Sequence, residues 1–93
     1  MKKLLPLGTV VMLHNSETKF MIYGHAQKNL ENGLLYDYIS CEYPVGNVDS
    51  NCATLFNADA ISKVFYIGFQ DAETIAYNNV LMKHWEEIKN RIE

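Results

Sequence analysis

The sequence predicts an α+β fold, in which a small antiparallel sheet of four or five strands precedes one long C-terminal helix. Short apolar runs rich in β-branched and aromatic residues, separated by turn signals, fill residues 1–70. A helix-period apolar pattern begins only at Asp71. The runs are few and short, so we expect either a curled sheet or a small SH3-like barrel. The whole chain, residues 1–93, is predicted to form a single domain, with residues 71–93 as its helix.

The predicted strands follow one another with short connections. They cover residues 8–13, 20–26, 34–41 and 63–69. Asn32-Gly33 marks the turn before the third strand, because both residues tolerate positive φ. Short connections favour pairing of the first strand with the second and of the second with the third. Residues 57–60 are predicted to form a helical turn.

The segment 36–57 starts as an aromatic strand and then leaves the sheet. Tyr43-Pro44 breaks the strand, because proline fixes φ and has no N–H to donate. A polar loop of about a dozen residues follows, and loops of that length are often functional. The loop contains no nucleophile–base pair, metal-ligand cluster or phosphate cradle. Its sequence therefore predicts a surface feature without naming a chemistry.

The predicted C-terminal helix begins at Asp71 and extends to about residue 91. The Asp71 carboxylate can accept hydrogen bonds from the free N–H groups of the first turn. Apolar residues recur at helical spacing and form one stripe: Tyr77, Leu81, Trp85, Ile88 and Ile92. The opposite face is polar: Lys83, Glu86, Glu87 and Asn90. We expect the stripe to pack on the sheet, with docking of a partner helix as the alternative.

The strands carry apolar residues on both faces, although a half-exposed strand should alternate apolar and polar residues. In the strand 63–69, alternation places Val64 and Tyr66 on one face and Phe65, Ile67 and Phe69 on the other. One helix can cover only part of such a sheet. The uncovered part, rich in tyrosine, is typical of a protein interface, and a fully covered two-layer domain is the alternative. The residues predicted to bind a partner are Tyr36, Tyr38, Tyr43 and Trp85.

The composition excludes several functional classes. The formal net charge is −3, from 8 Lys and Arg against 11 Asp and Glu, with no basic run. The electrostatic attraction that drives binding to nucleic acid or to anionic membranes is therefore missing. No apolar run has the length of a membrane span, and Pro6 and Gly8 interrupt the signal-like start. We expect a cytoplasmic protein whose two cysteines, Cys41 and Cys52, stay reduced.

Candidate chemistry is sparse. His14, His25 and Cys41 suggest a metal site, but their spacing matches no known ligand pattern. Asp37 lies between two tyrosines and has no partner carboxylate at a readable spacing. We therefore predict no enzyme activity and no catalytic, cofactor or metal residues. An enzyme or small-ligand site lined by Asp37, His25 and tyrosines is the alternative.

Several short motifs resemble a known family in their order along the chain. They are Leu-Pro-Leu-Gly-Thr-Val-Val at 5–11, Met-Ile-Tyr-Gly at 21–24, Tyr-Asp-Tyr at 36–38, Tyr-Pro-Val-Gly-Asn at 43–47, Phe-Asn at 56–57, and Val-Phe at 64–65 with Gly68. Over residues 4–71 the chain resembles the family catalogued as domain of unknown function 4176. These are small proteins of Gram-positive bacteria, often encoded beside type VII secretion genes and LXG-type toxins.

The resemblance implies a role without enzyme activity. It suggests a cytoplasmic adaptor or chaperone that binds the N-terminal region of an LXG-type toxin or the toxin's small helical partners. An immunity protein that neutralises a cognate toxin is the alternative. Formation of a homodimer is also considered. Because the net charge is small, we expect the contact to be mainly apolar and little affected by salt.

Overall fold

The computed structural model describes residues 4–49, 52–85 and 87. Five strands and one α-helix make up its regular structure. They are β1 (Val10–Leu13), β2 (Lys19–Lys28), β3 (Leu35–Tyr43), β4 (Thr54–Phe56), β5 (Ile61–Tyr66) and α1 (Ala72–Lys83), with a 3₁₀ turn at Ala58–Ala60 before β5. The predicted α+β class and the predicted helical turn are confirmed. No helix in this part of the chain has the length and apolarity needed to cross a membrane.

The strands form one antiparallel sheet in the order β4-β3-β2-β1-β5. The predicted pairings of β1 with β2 and of β2 with β3 are confirmed. The long-range pairing of β5 with β1 brings the last strand beside the first. The sheet is open, with β4 and β5 as its edges. The molecule therefore does not form the SH3-like barrel that was one of the two predicted forms.

Part of the segment predicted as a long loop is a strand. β4 pairs with β3 through Leu55 opposite Ile39, and residues 44–53 connect the two strands. The chain leaves β3 at a cis Tyr43-Pro44 peptide bond and turns at Gly46, whose φ of +85° lies in the left-handed region that glycine favours. The predicted break at Tyr43-Pro44 is therefore confirmed, and the connection of ten residues that follows agrees with the predicted loop of about a dozen.

One face of the sheet builds the core. Its buried cluster consists of Leu4, Val11, Ile22, Tyr38 and Phe56. From α1 and the residues after it, Leu81, Met82 and Trp85 pack against this cluster. Packing of the predicted stripe on the sheet is thus confirmed for Leu81 and Trp85, whereas Tyr77 is 60% exposed. Ile88 and Ile92, with Glu86 and Asn90 of the predicted polar face, lie outside the described residues.

The start of α1 is fixed by the predicted cap. The Asp71 carboxylate accepts hydrogen bonds from the backbone N–H of Thr74 at 2.8 Å and from the Thr74 hydroxyl at 2.9 Å. These bonds lower the pKa of the Asp71 carboxyl, because they favour its charged form. α1 ends at Lys83, and the predicted end of the helix at about residue 91 lies outside the described residues. Residues 85 and 87 are again helical, and residues 88–93 are not among those described.

Candidate functional site

The sheet face opposite the buried cluster, here called the outer face, carries a groove of 430 Å³. Val10 marks this face, because side chains alternate along a strand and its neighbour Val11 lies in the core. Each of the four strands β5, β1, β2 and β3 contributes to the groove. The residues that line this outer-face groove are Gly8, Val10, Lys19, Met21, Tyr43, Phe65 and Tyr66.

Strand register brings these residues together. Val10 lies opposite Met21 on β2 and opposite Tyr66 on β5. Lys19 lies opposite Tyr43 on β3. Residues directly opposite one another on antiparallel strands share a face. β1 and β2 therefore provide an apolar floor, while β3 and β5 provide aromatic side chains on either side of it.

A bulge in β5 corrects the alternation that the sequence predicted. Val10 and Val11 are adjacent on β1, but their partners Tyr66 and Val64 are two residues apart on β5. Phe65 is therefore the extra residue of a β-bulge, and bulges redirect side chains. The expectation that Phe65 and Tyr66 occupy opposite faces was wrong, because both line the outer-face groove.

Two lysine ammonium groups lie over the aromatic side of the groove. Lys19 Nζ is 5.7 Å from the ring centre of Tyr43 and 5.6 Å from that of Phe65. Lys63 Nζ is 4.9 Å from the ring centre of Phe65. These distances fall within the range of cation–π attraction. The groove therefore combines apolar floor, exposed aromatic rings and positive charge, although the chain as a whole has a net charge of −3.

The four residues predicted to bind a partner fall in different places. Tyr43 lines the outer-face groove and is 44% exposed. Tyr36 is half-buried, and its hydroxyl accepts a hydrogen bond from Asn32 Nδ2 at 3.2 Å. Trp85 packs against the core. Tyr38 is fully buried, which contradicts its expected place on an exposed surface.

Tyr38 has a structural role. Its hydroxyl accepts a hydrogen bond from the Leu5 backbone N–H at 3.0 Å, and its ring contacts those of His25 and Phe56. Burial raises the pKa of the Tyr38 phenol, because it disfavours the charged form. Alternation predicts that Tyr36 and Tyr38 share a face of β3, but it does not reveal that this face is the core.

A second groove, of 540 Å³, lies between α1 with the preceding Phe69 on one side and Leu7 with His25 of β2 on the other. Its lining includes His25, Glu73 and Asn78 together with exposed Phe69 and Tyr77. His25 Nε2 is 2.7 Å from the Leu5 carbonyl oxygen. Because a carbonyl can only accept, Nε2 carries the proton and donates it to this structural hydrogen bond.

Asp37 is also held in a structural role. One carboxylate oxygen accepts a hydrogen bond from the Ala58 backbone N–H at 2.8 Å, while the Asp37 N–H donates to the Asn57 side chain at 3.0 Å. This reciprocal arrangement ties β3 to the turn that follows β4. The buried Asp37 carboxylate thus takes the place of a backbone carbonyl as the acceptor for the Ala58 N–H, which would otherwise be unpaired at the start of the 3₁₀ turn.

The residues considered as metal ligands do not converge. His14 follows the end of β1 and is exposed, whereas His25 lies on β2 against the Tyr38 ring. Cys41 is buried, and both Cys41 and Cys52 are free thiols. Within residues 4–49, 52–85 and 87, no three His, Cys, Asp or Glu side chains lie close enough together to hold a metal ion.

The outer-face groove contains six residues that the sequence did not single out for binding: Gly8, Val10, Lys19, Met21, Phe65 and Tyr66. The available signal was the apolar character of both strand faces, which indicates incomplete cover. Only the register shows which residues of four strands meet.

Comparison with known proteins identifies the family but not a function. No curated protein and no solved structure matches the chain. A family model described as a domain of unknown function, DUF4176, matches residues 4–76, which include all five strands and the start of α1. The chain therefore belongs to the DUF4176 family.

Proposed function

We propose that this protein is a non-enzymatic adaptor or chaperone that binds a protein partner through the outer-face groove. The observation that carries the proposal is the open, aromatic-lined face of the sheet. α1 packs on the opposite face, so it leaves this groove uncovered. Binding of a partner over an exposed apolar groove is favourable, because it removes apolar surface from water.

The residues on either side of the groove have the properties of interface anchors. Tyr43, Phe65 and Tyr66 are 44%, 42% and 62% exposed. Aromatic side chains contribute a large contact area, and tyrosine adds a polar tip that tolerates water in the free state. Such residues are enriched among those that dominate binding energy. Tyr43 is the residue on which the sequence prediction and the groove agree.

The partner that we propose is the N-terminal region of an LXG-type toxin, or one of its small helical partners, in the cytoplasm. The resemblance described under Sequence analysis supports this proposal, because it implies an association of such proteins with type VII secretion genes.

The hydrogen bonds of the acid–base candidates support a role without catalysis. His25 uses Nε2–H for the Leu5 carbonyl, and Asp37 uses a carboxylate oxygen for the Ala58 N–H. Thr74 in the second groove donates its hydroxyl proton to Asp71. Each of these groups forms a hydrogen bond that stabilises the fold.

Co-purification tests the proposal. The toxin's N-terminal region is co-expressed with the wild-type protein and with a groove variant carrying Tyr43→Ala, Phe65→Ala and Tyr66→Ala. A matched control removes three exposed aromatic side chains that do not line the groove: Tyr23→Ala, Phe69→Ala and Tyr77→Ala. Circular dichroism melts establish that both variants fold. We expect the groove variant to lose at least tenfold in affinity and the control to bind like the wild type.

The other outcomes decide against the proposal in different ways. Wild-type affinity of the folded groove variant would show that the partner binds elsewhere. Binding of the toxin's catalytic domain instead of its N-terminal region would assign the protein to immunity. Failure of the wild-type protein to bind either region would remove the adaptor role.

A further inference from the structure

β5 is an edge strand that is open along its length. It pairs with β1 on one side, and no strand in the described part of the chain pairs with its other side. It has six residues, and all except Ile61 are exposed. The other edge strand, β4, has only three residues, and Phe56 within it is buried. Between the two edges, β5 therefore offers the longer row of backbone N–H and C=O groups to an incoming strand.

Apolar side chains flank this edge on both faces of the sheet. Val64 lies opposite Val11, on the face of the core, and is 40% exposed. Phe65 and Tyr66 lie on the outer face. A strand added beside β5 would cover apolar surface on both faces while its backbone completes the ladder. This combination of main-chain bonding and side-chain contact is how peptide strands are recognised by sheet edges.

The charges around the edge favour an acidic occupant. Lys63 belongs to β5, and the ammonium groups of Lys63 and Lys19 both lie over the Phe65 ring. Neither ammonium forms a salt bridge with a carboxylate of the described residues. Two uncompensated cations beside one edge, in a chain of net charge −3, attract negative side chains.

The same features disfavour a second copy of this chain as the occupant. Antiparallel pairing of two β5 edges would bring Lys63 of one copy toward Lys63 of the other. Lysine on an edge strand and β-bulges are also devices by which edges avoid pairing with themselves. β5 has Lys63 and bulges at Ser62 and Phe65. The edge is therefore better suited to a different chain of opposite charge.

We infer that β5 binds, by strand addition, an extended acidic segment of a partner polypeptide in which apolar and acidic residues alternate. Alternation places the apolar side chains of the segment beside Val64 on one face of the sheet. Its carboxylates then share the other face with the ammonium groups of Lys19 and Lys63. This site uses the free edge of β5, whereas the site proposed above uses the outer-face groove; Lys19, Phe65 and Tyr66 belong to both.

The test uses a synthetic peptide as probe: an N-acetylated, C-amidated heptapeptide of alternating Glu and Val. Nuclear magnetic resonance of the full chain reports chemical shifts and the hydrogen exchange of backbone amides. We expect exchange to slow at residues 62–66 when the peptide is bound. A peptide N-methylated at alternate residues along its pairing edge cannot complete the ladder, and we expect it not to bind. A Lys-Val peptide should bind at least fivefold more weakly than the Glu-Val peptide.

Charge reversal on the protein provides the second arm. We expect Lys63→Glu to weaken binding of the Glu-Val peptide by about fivefold to tenfold, and added salt to weaken binding to the wild type. Lys28→Glu, at the far end of β2, is the matched control and should leave the affinity unchanged. Melting curves establish that both variants fold.

Three results would overturn the inference: equal binding of the N-methylated peptide, no binding of the Glu-Val peptide at millimolar concentration, or a dimer in sedimentation whose β5 amides are protected without peptide. Co-purification with the toxin's N-terminal region is measured separately. If the toxin region still co-purifies after any of these three results, the proposed adaptor role stands and only the strand-addition site is removed. If the peptide binds but the toxin region does not co-purify, only the adaptor role is removed.

Discussion

The Gly68 backbone N–H donates a hydrogen bond of 3.0 Å to the hydroxyl oxygen of Thr9, which lies 59 residues earlier in the chain. Thr9 is fully buried, and its hydroxyl donates in turn to the Pro6 carbonyl at 2.7 Å. The two bonds fix the chain just after β5 against the chain just before β1. They therefore hold the two strands that provide one side and part of the floor of the outer-face groove.

Gly68→Ala should destabilise the protein by about 3 kcal/mol or more, because overpacking against rigid backbone is costly. A Cβ at Gly68 would overlap the Leu7 carbonyl oxygen and crowd the Thr9 N–H at 2.9 Å. The strands would have to separate to admit it. Urea denaturation of the wild type and the variant measures the loss. A stability within 1 kcal/mol of the wild type would contradict the close approach of these two segments.

Trp85→Ala should destabilise by about 2 kcal/mol, less than the 3–5 kcal/mol of a fully buried tryptophan. Trp85 is half-buried and packs against the core cluster. Thermal melts followed by circular dichroism measure the effect. Tyr77→Ala on the same helix is the control, because Tyr77 is 60% exposed and should change stability by about 0.5 kcal/mol or less. Equal melting temperatures for Trp85→Ala and the wild type would instead favour the stripe as a docking surface.

Local sequence signals predicted those parts of the fold that depend on local physics. The Asp71 cap follows from side-chain chemistry within one turn, and the break at Tyr43-Pro44 follows from the proline ring. β4 was missed because Thr54–Phe56 is too short to show a period. The β-bulge at Phe65 was missed because it arises from pairing with β1, a contact between residues far apart in the chain.

The sequence predicted that the protein has an exposed apolar surface, but it did not predict which residues form that surface. Apolar residues on both faces of the strands indicated a surface that one helix cannot cover. The register of four strands determines which residues form that surface. It places Tyr38 in the core, and it places Phe65 in the same groove as Tyr43. Lys19 showed no local signal, because its role depends on rings from β3 and β5.

The Asp71 cap should make the stability of α1 depend on pH in the acid range. Hydrogen bonds from Thr74 lower the pKa of the Asp71 carboxyl in the folded state. A lowered pKa means that the stabilisation is complete above the unfolded value of about 3.9 and is lost as pH falls through the folded value. Melting temperatures between pH 2 and pH 6 should therefore fall in the wild type at the acid end.

Asp71→Asn is the matched variant for this titration. Asparagine still accepts the Thr74 hydrogen bond but cannot gain a proton. We expect the pH dependence of its melting temperature to be shallower than that of the wild type below pH 4. The same slope in both proteins would show that the acid transition arises from other carboxylates.

Asn78→Leu should stabilise the protein by about 1 kcal/mol. Asn78 lies on α1 and is 9% exposed, and its buried side-chain oxygen has no hydrogen-bond partner among the described residues. An acceptor buried without a partner costs about 1–3 kcal/mol, and leucine removes it with a similarly branched side chain while improving helix propensity. Asn79→Leu is the matched control: Asn79 is exposed, so this variant gains only the helix propensity. Chemical denaturation should rank Asn78→Leu above both Asn79→Leu and the wild type, and an unfolding free energy below that of the wild type would show that the Asn78 amide stabilises the fold.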